Sequence, residues 1–192
     1  DLDDIKSAFI EFANKVPFYG FVTLCLDEPA LQDIMPSINK KIITYGLNAH
    51  ADVRATDITH NGFTSTYKVK YFGKELGEIT LKIPGKHNIN NSLVAIVIGT
   101  ELGVDFKIIK SALESFSGVY RRFEVKYNKE ILVIDDYAHH PTESAATLKG
   151  IRDGWDRRLI VVFQPHLYSR TKDFYQEFSR AFLNSDVFIC TD

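Results

Sequence analysis

Apolar residues recur at Ile5, Phe9, Phe12, Ala13 and Val16, so the chain opens on an amphipathic helix with Asp3 or Asp4 as its N-cap. The run FVTLCL (21–26) reads as a buried strand, residues 28–39 as a helix with Pro29 in its first turn, and KIITYG (41–46) as another strand. From 51 to 83 polar and apolar residues alternate, with turn marks at Asn61-Gly62 and Gly73, which is the pattern of an antiparallel meander. After Pro84-Gly85, NINNSLVAIVIGTEL is so uniformly apolar that it predicts a helix buried on several sides. Gly103 ends it, Asp105 caps a shorter helix over 106–116, and Gly118 marks a hinge.

Beyond the hinge the texture changes. RRFEVKY and ILVIDD predict strands joined by a turn at Asn128-Lys129, and Thr142 starts a helix that runs to 154. RLIVVF is a strand, 173–184 a helix, and DVFICT the last strand. ILVID, RLIVVF and DVFIC are short continuous apolar runs, as expected of parallel strands covered on both faces. The fold class is therefore α/β, with an antiparallel meander ahead of a parallel sheet.

Right-handed crossovers would bring YAHHPTE (137–143) and QPHLYSRT (164–171) together, each just past the carboxyl end of a strand, where open parallel sheets bind ligands. Asp135 and Asp136 followed by His139 and His140 could serve a metal, a ribose or an amino group. A bland reading makes Thr142 a helix cap and the histidines solvated loop residues. Zinc is the weaker functional option, because no cysteine or spaced histidine pair completes a tetrahedral set. Arg170 offers a planar fork for a carboxylate or phosphate, or else a surface ion pair with Asp173 or Glu177. Asn88 and Asn91 share a helical face and could read the edge of a base, although spacing alone favours a capping role. Arg121-Arg122 reads equally as a solvated pair or as a neutraliser of phosphates.

No G-x-x-x-x-G-K-[ST] loop occurs; Gly73-Lys74 and Gly85-Lys86 are followed by Glu75 and His87. Hydrophobic residues at 45% and charged residues at 25% place the chain among ordinary globular proteins. A formal charge of −2 gives no global attraction to nucleic acid or acidic membranes, and no apolar run is long enough to span a bilayer. Cys25 and Cys190 both sit in apolar runs, which suits buried free thiols in a reducing compartment. The first residues are acidic and helical rather than a signal peptide, and the chain reads as a fragment of something larger.

In series, VPFYGFVTLCLDEP, ITYGLNAHADVRA, PGKHNINNSLVAIVIGTELGV, ALESFSGVYRRFEV, IDDYAHHPTE and FQPHLYSRTKDFYQEF resemble the Mur ligase family, specifically its alanine-adding branch. The family's murein-peptide recycling ligases share the HNxxN, RR and DD-aHHPT-like segments but differ where QPHLYSRTKD stands here. The resemblance implies a P-loop-type central ATPase domain, with its C-terminal half at 1–119. It further implies a Rossmann-like closing domain, with its N-terminal half at 120–192. The P-loop and the main magnesium ligands would lie upstream, so no metal ligand is expected within these residues.

By the same resemblance the parent protein is a cytoplasmic ligase of peptidoglycan synthesis. It takes ATP, magnesium, UDP-N-acetylmuramate and L-alanine, and acts through an acyl phosphate. Asn88 and Asn91 would face the adenine, Arg122 the phosphates and Asp136 the ribose. Tyr137, His139 and Arg170 would line the alanine pocket, with Arg122 and His139 as the catalytic pair. The family often carries arginine after the histidine of QPH; Leu167 stands there instead, leaving Arg170 more of the carboxylate recognition. These residues alone are expected to be inactive. A competing class is a non-catalytic nucleotide or amino-acid binding module using the same strand-end site.

Overall fold

The computed structural model describes residues 1–191. The first helix, α1 (Leu2–Asn14), starts earlier than its apolar spacing suggests, because Asp1 and Asp4 form a capping box that satisfies the first N–H groups. Strand β1 (Val22–Cys25) follows, and then helix α2 (Pro29–Ile34), which gives way to a 3-10 turn at Met35–Ser37. The single helix expected over 28–39 is broken there, since Pro36 supplies no N–H to continue the ladder. Ala13, Leu24, Ile34 and Ile38 form a buried cluster that packs α1 and α2 against β1 and β2 (Ile42–Gly46).

Strands β3 (Val53–Asn61), β4 (Thr64–Tyr71) and β5 (Lys74–Leu81) complete one five-stranded sheet in the order β1-β2-β3-β4-β5. β1, β2 and β3 run parallel. The two-residue connections at Phe63 and Phe72 then force β4 and β5 into the expected up-and-down path. Gly62 (φ +54) and Gly73 (φ +80) supply the left-handed backbone that these turns need.

Helix α3 (Lys86–Glu101) buries Ile89, Ser92, Leu93, Ile96 and Val97, and α4 (Phe106–Ser115) is started by Asp105, whose carboxylate accepts the Lys107 N–H at 2.7 Å. The buried Tyr67 hydroxyl meets Ser92 Oγ at 2.5 Å, and burial pushes the phenol up to about 12. The opposite side of α3 does not follow expectation: Asn91, Ala95 and Ile98 are exposed. One helix face meets the sheet, and nothing among the described residues covers the other.

The chain divides into two units. One holds Asp1–Ile58, Thr66–Thr80 and Ile89–Glu114; the other holds Thr59–Ser65, Leu81–Asn88 and the chain from Ser115 on. In the second unit β6 (Glu124–Asn128) and β7 (Leu132–Asp135) form an antiparallel pair with a bulge between Val125 and Tyr127. Helix α5 (Pro141–Gly154) leads to β8 (Ile160–Phe163), which pairs in parallel with β9 (Val187–Cys190). Gly154 lets α5 end against the turn at Gly62, whose N–H donates to the Gly154 carbonyl at 3.2 Å; a Cβ on Gly154 would stand 2.7 Å from the Gly62 oxygen.

Three expectations change here. The three apolar runs do not form one continuous parallel sheet: among the described residues β7 pairs only with β6, and a cavity of about 660 Å³ separates it from β8. The helix expected over 173–184 begins earlier and is interrupted, as α6 (Tyr168–Asp173) and α7 (Tyr175–Ala181), because Phe174 leaves helical geometry at φ −113, ψ 27. Cys25 is buried but Cys190 is exposed, since the outer side of β9 lies uncovered. Among the described residues no helix is long and apolar enough to cross a membrane.

Candidate active site

The second unit gathers most of the predicted site residues where β7 gives way to α5. Asp136 stands first in the connecting loop. Its Oδ1 accepts the Ala138 N–H (2.9 Å), and its Oδ2 accepts the Phe123 N–H (3.2 Å) and the Thr147 hydroxyl (3.0 Å). An ionised carboxylate offers about four acceptor positions. Three are already committed to tying the approach to β6, the loop and α5 together, which leaves room for one further donor.

The ring of His139 is held the same way, by its own loop. Nδ1 lies 2.9 Å from the Tyr137 carbonyl oxygen. A carbonyl only accepts, so Nδ1 carries the proton, and in the neutral ring Nε2 keeps its lone pair. No partner for Nε2 occurs among the described residues. The Tyr137 ring packs at 5.1 Å from His139 and lies beneath the Arg121 guanidinium at 4.9 Å. Arg121 itself bonds Asp135 at 3.3 Å and sits at φ +54, a backbone state that the Tyr137 N–H braces by donating to its carbonyl at 2.7 Å.

Glu143 joins the two halves of the cluster, a role that spacing did not reveal. Its Oε2 accepts the N–H groups of His139 (3.1 Å) and His140 (3.2 Å), and its Oε1 faces Arg122 Nη1 at 3.4 Å. Burial pushes the Glu143 carboxyl up, but the His139 N–H and ring and the Arg122 guanidinium outweigh it and hold the group below the usual carboxylate range. The helix cap is His140 rather than Thr142. His140 is extended (φ −114, ψ 145), as residues before proline are, and its Nδ1 accepts the Thr142 N–H at 3.3 Å while Pro141 takes the first helical position.

The second predicted segment does approach the first. Arg170, on α6, places Nη1 at 3.5 Å from the His139 carbonyl, and the His140 ring meets Phe174 edge-on at 4.7 Å. A contact at 3.5 Å lies at the outer limit of a hydrogen bond, so most of the guanidinium fork is unspent. No ion pair to Asp173 or Glu177 forms among the described residues. Leu167, just before α6, is 53% exposed and held at φ +70, ψ 114, which is costly for a side chain of this size.

His87 also belongs to this neighbourhood. Crowding by protein lowers its pKa although the residue keeps an exposed edge; Asp136 opposes that shift and Arg122 adds to it. Asn88 uses its Nδ2 to donate to the Pro84 carbonyl at 2.7 Å, so it neither caps the helix nor stands wholly free. Asn91, one turn along α3, is exposed. A cavity of about 300 Å³ in this unit is lined in part by Lys82, Pro84, Gly118 and Arg122, with two cationic side chains at a glycine-widened wall. Among the described residues no three His, Cys, Asp or Glu side chains come together as metal ligands.

Comparison with known proteins bears on this arrangement. The pattern described as the Mur ligase middle domain matches residues 1–99, and that of the Mur ligase glutamate ligase domain matches 121–192. The UDP-N-acetylmuramate–L-alanine ligase of Geotalea uraniireducens is 51% identical over 193 residues, covering 100% of this chain and 42% of its own length. The chain thus spans under half of that relative. Among solved structures, the UDP-N-acetylmuramate–alanine ligase MurC of Thermotoga maritima superposes with a TM-score of 0.79 at 26% identity, over 99% of this chain and 41% of that one. A murein peptide ligase from Psychrobacter arcticus gives 0.67 at 27% identity, over 98% and 40%. With one domain pattern over its first half and a second over the strand-end cluster just described, the chain belongs to the Mur ligase family.

Proposed function

We propose that the protein carrying these residues is an ATP-dependent ligase of the cytoplasm that joins L-alanine to the lactyl carboxylate of UDP-N-acetylmuramate in peptidoglycan precursor synthesis. The observation that carries the reading is the 51% identity to a UDP-N-acetylmuramate–L-alanine ligase across the whole of this chain. Residues 1–119 are the C-terminal half of a central nucleotide-binding domain and 120–192 the N-terminal half of a closing domain. ATP phosphorylates the lactyl carboxylate, and the alanine amine displaces phosphate from the acyl phosphate, giving the amide, ADP and inorganic phosphate.

The side chains here position groups and balance charge rather than form covalent bonds. Arg122, whose Nη1 lies 3.4 Å from Glu143 Oε1, faces the transferring phosphate. Asp136 uses its one open acceptor position for a ribose hydroxyl, and Asn88 and Asn91 face the base. His139 presents the Nε2 lone pair to the ammonium of alanine, orienting it or taking its proton, beside the ring of Tyr137. The open fork of Arg170 meets the alanine carboxylate. By the family resemblance, residues outside 1–192 would hold the magnesium that screens the phosphates.

The test uses the full-length protein. Phosphate release should require both UDP-N-acetylmuramate and L-alanine. If a murein peptide replaces alanine efficiently, the recycling activity is the correct one; release with neither acceptor would remove the ligase reading.

A further inference from the structure

Thr147 makes a bond that its place in a helix does not call for. It stands inside α5, where a threonine hydroxyl ordinarily turns back to the main-chain carbonyl one turn earlier. Here the hydroxyl leaves the helix and donates to Asp136 Oδ2 at 3.0 Å.

The two oxygens of the Asp136 carboxylate are thereby made unequal. Oδ2 accepts the Thr147 hydroxyl and the Phe123 N–H (3.2 Å), which fills both of its acceptor positions. Among the described residues Oδ1 accepts the Ala138 N–H (2.9 Å) alone. The acceptor position still open in this carboxylate is therefore on Oδ1.

Covalent geometry does not select one oxygen in this way. The last torsion of an aspartate is broad and two-fold, so the carboxylate plane turns unless its partners stop it. Ala138 belongs to the same loop as Asp136, and Phe123 is itself held at φ +53. Thr147 is the partner anchored in a regular helix. Glu143, one turn earlier on the same face of α5, meets Arg122 Nη1 at 3.4 Å. One side of α5 thus holds both Arg122 and Asp136.

We infer that Thr147 is a positioning residue for the nucleotide: its hydroxyl fixes the plane of the Asp136 carboxylate so that Oδ1 meets a ribose hydroxyl. This role presupposes the proposed contact between Asp136 and the ribose, and adds which oxygen makes it and what aims that oxygen.

Steady-state kinetics of the full-length protein with ATP, 2′-deoxy-ATP and 3′-deoxy-ATP test this. The unaltered protein should favour ATP over at least one of the deoxy nucleotides. Thr147→Val keeps the branched shape and loses the donor. It should raise the Michaelis constant for ATP roughly tenfold, short of the ~100-fold that an ångström of misplacement can cost. It should also narrow the preference for ATP, while the constant for L-alanine holds. Thr147→Ala lacks the donor without adding a methyl group and should act alike; Thr147→Ser, which keeps the hydroxyl, should behave as the unaltered protein does. A side chain that only supports the fold would change the yield of active protein and leave the nucleotide preference as it was. If the unaltered protein treats all three nucleotides alike, the ribose contact of Asp136 falls and the role of Thr147 with it. If it discriminates, and Thr147→Val and Thr147→Ala discriminate equally well, the ribose contact stands and Thr147 does not aim it.

Discussion

The Nδ1 atom of His139 donates to the carbonyl of Tyr137, two residues earlier in the same loop, at 2.9 Å. The tautomer is therefore dictated by the backbone beside it, and Nε2 is left as an acceptor before any substrate arrives. In the full-length enzyme His139→Ala should lower kcat/KM for alanine by roughly 100-fold, the lower end for a positioned acid–base group. If Gln, which can accept but is not a base, restores most of that loss, His139 orients the amine; if it restores none, proton transfer is its task. Steady-state kinetics on both variants decides.

Arg170 is the proposed partner of the amino-acid carboxylate, and Leu167 offers no second cation beside it. A charged hydrogen bond is worth about 1.5–3 kcal/mol. Arg170→Ala should raise the Michaelis constant for alanine roughly ten- to a hundredfold, at ~1.4 kcal/mol per decade, with that for ATP little changed. Arg170→Lys should recover only part, because an ammonium cannot reproduce the fork. A rise confined to the ATP constant would move Arg170 out of the alanine pocket.

Asp136 ties the loop together, and its proposed part in ATP use can be measured apart from that. Removing its carboxylate strands the N–H groups of Phe123 and Ala138, so Asp136→Ala should destabilise the protein by about 1–3 kcal/mol in denaturant melts. Asp136→Asn keeps an acceptor and should cost less stability while still weakening ATP use. Equal loss of stability in both variants would mean that charge, not acceptor geometry, holds the loop.

The lowered pKa of His87 makes stability depend on pH. Folded His87 resists protonation while the unfolded residue, near 6.5, does not. As pH falls through 6.5 toward the lowered folded value, the unfolded state binds more protons and stability declines; below both values this loss stops growing. His87→Gln should flatten that part of a stability–pH curve measured by thermal melting, and an unchanged slope would assign the effect elsewhere. The depressed Glu143 acts at lower pH, with stability present above the ordinary carboxylate range and lost as pH falls through its folded value.

Leu167 stores backbone strain at φ +70. Leu167→Gly relieves it but also frees the unfolded chain, so the net gain should be about 1 kcal/mol, within the ~1–3 kcal/mol of such outliers. A loss of stability on chemical melting would mean that the half-exposed leucyl side chain contributes more than its backbone costs.

Much of this was legible in the chain because period and punctuation agreed: alternation between Asn61-Gly62 and Gly73 gave the meander, and the apolar runs gave the strands of the second unit. Two features were not. Uniform hydrophobicity in α3 says that a helix is apolar but not which side finds a partner, so the exposed Asn91-Ala95-Ile98 side could not be read. Apolar strands likewise do not declare their neighbours, and β7 and β8 proved not to pair with one another. In the site, Asp136, His139 and Arg170 were drawn from their place at strand ends. Glu143 was missed although a signal was present: it stands three residues after the cap, as in a capping box, but the cap is a histidine rather than the usual serine, threonine or aspartate.

The loop from Asp136 to Glu143 is held by bonds that each span two to four residues: Asp136 to Ala138, Tyr137 to His139, Glu143 to His139 and His140. Its length is thereby as constrained as its chemistry. Adding or deleting one residue would turn α5 by roughly 100° about its axis, given 3.6 residues per turn, and swing Ser144 and Leu148 out of the interior. Each bond sets a side chain of Asp136, His139 or Glu143 against a main-chain atom, so Ala138, which enters only through its N–H, can drift by substitution, whereas insertion or deletion would break the set. Variants of this protein should differ here in letters and hardly ever in count.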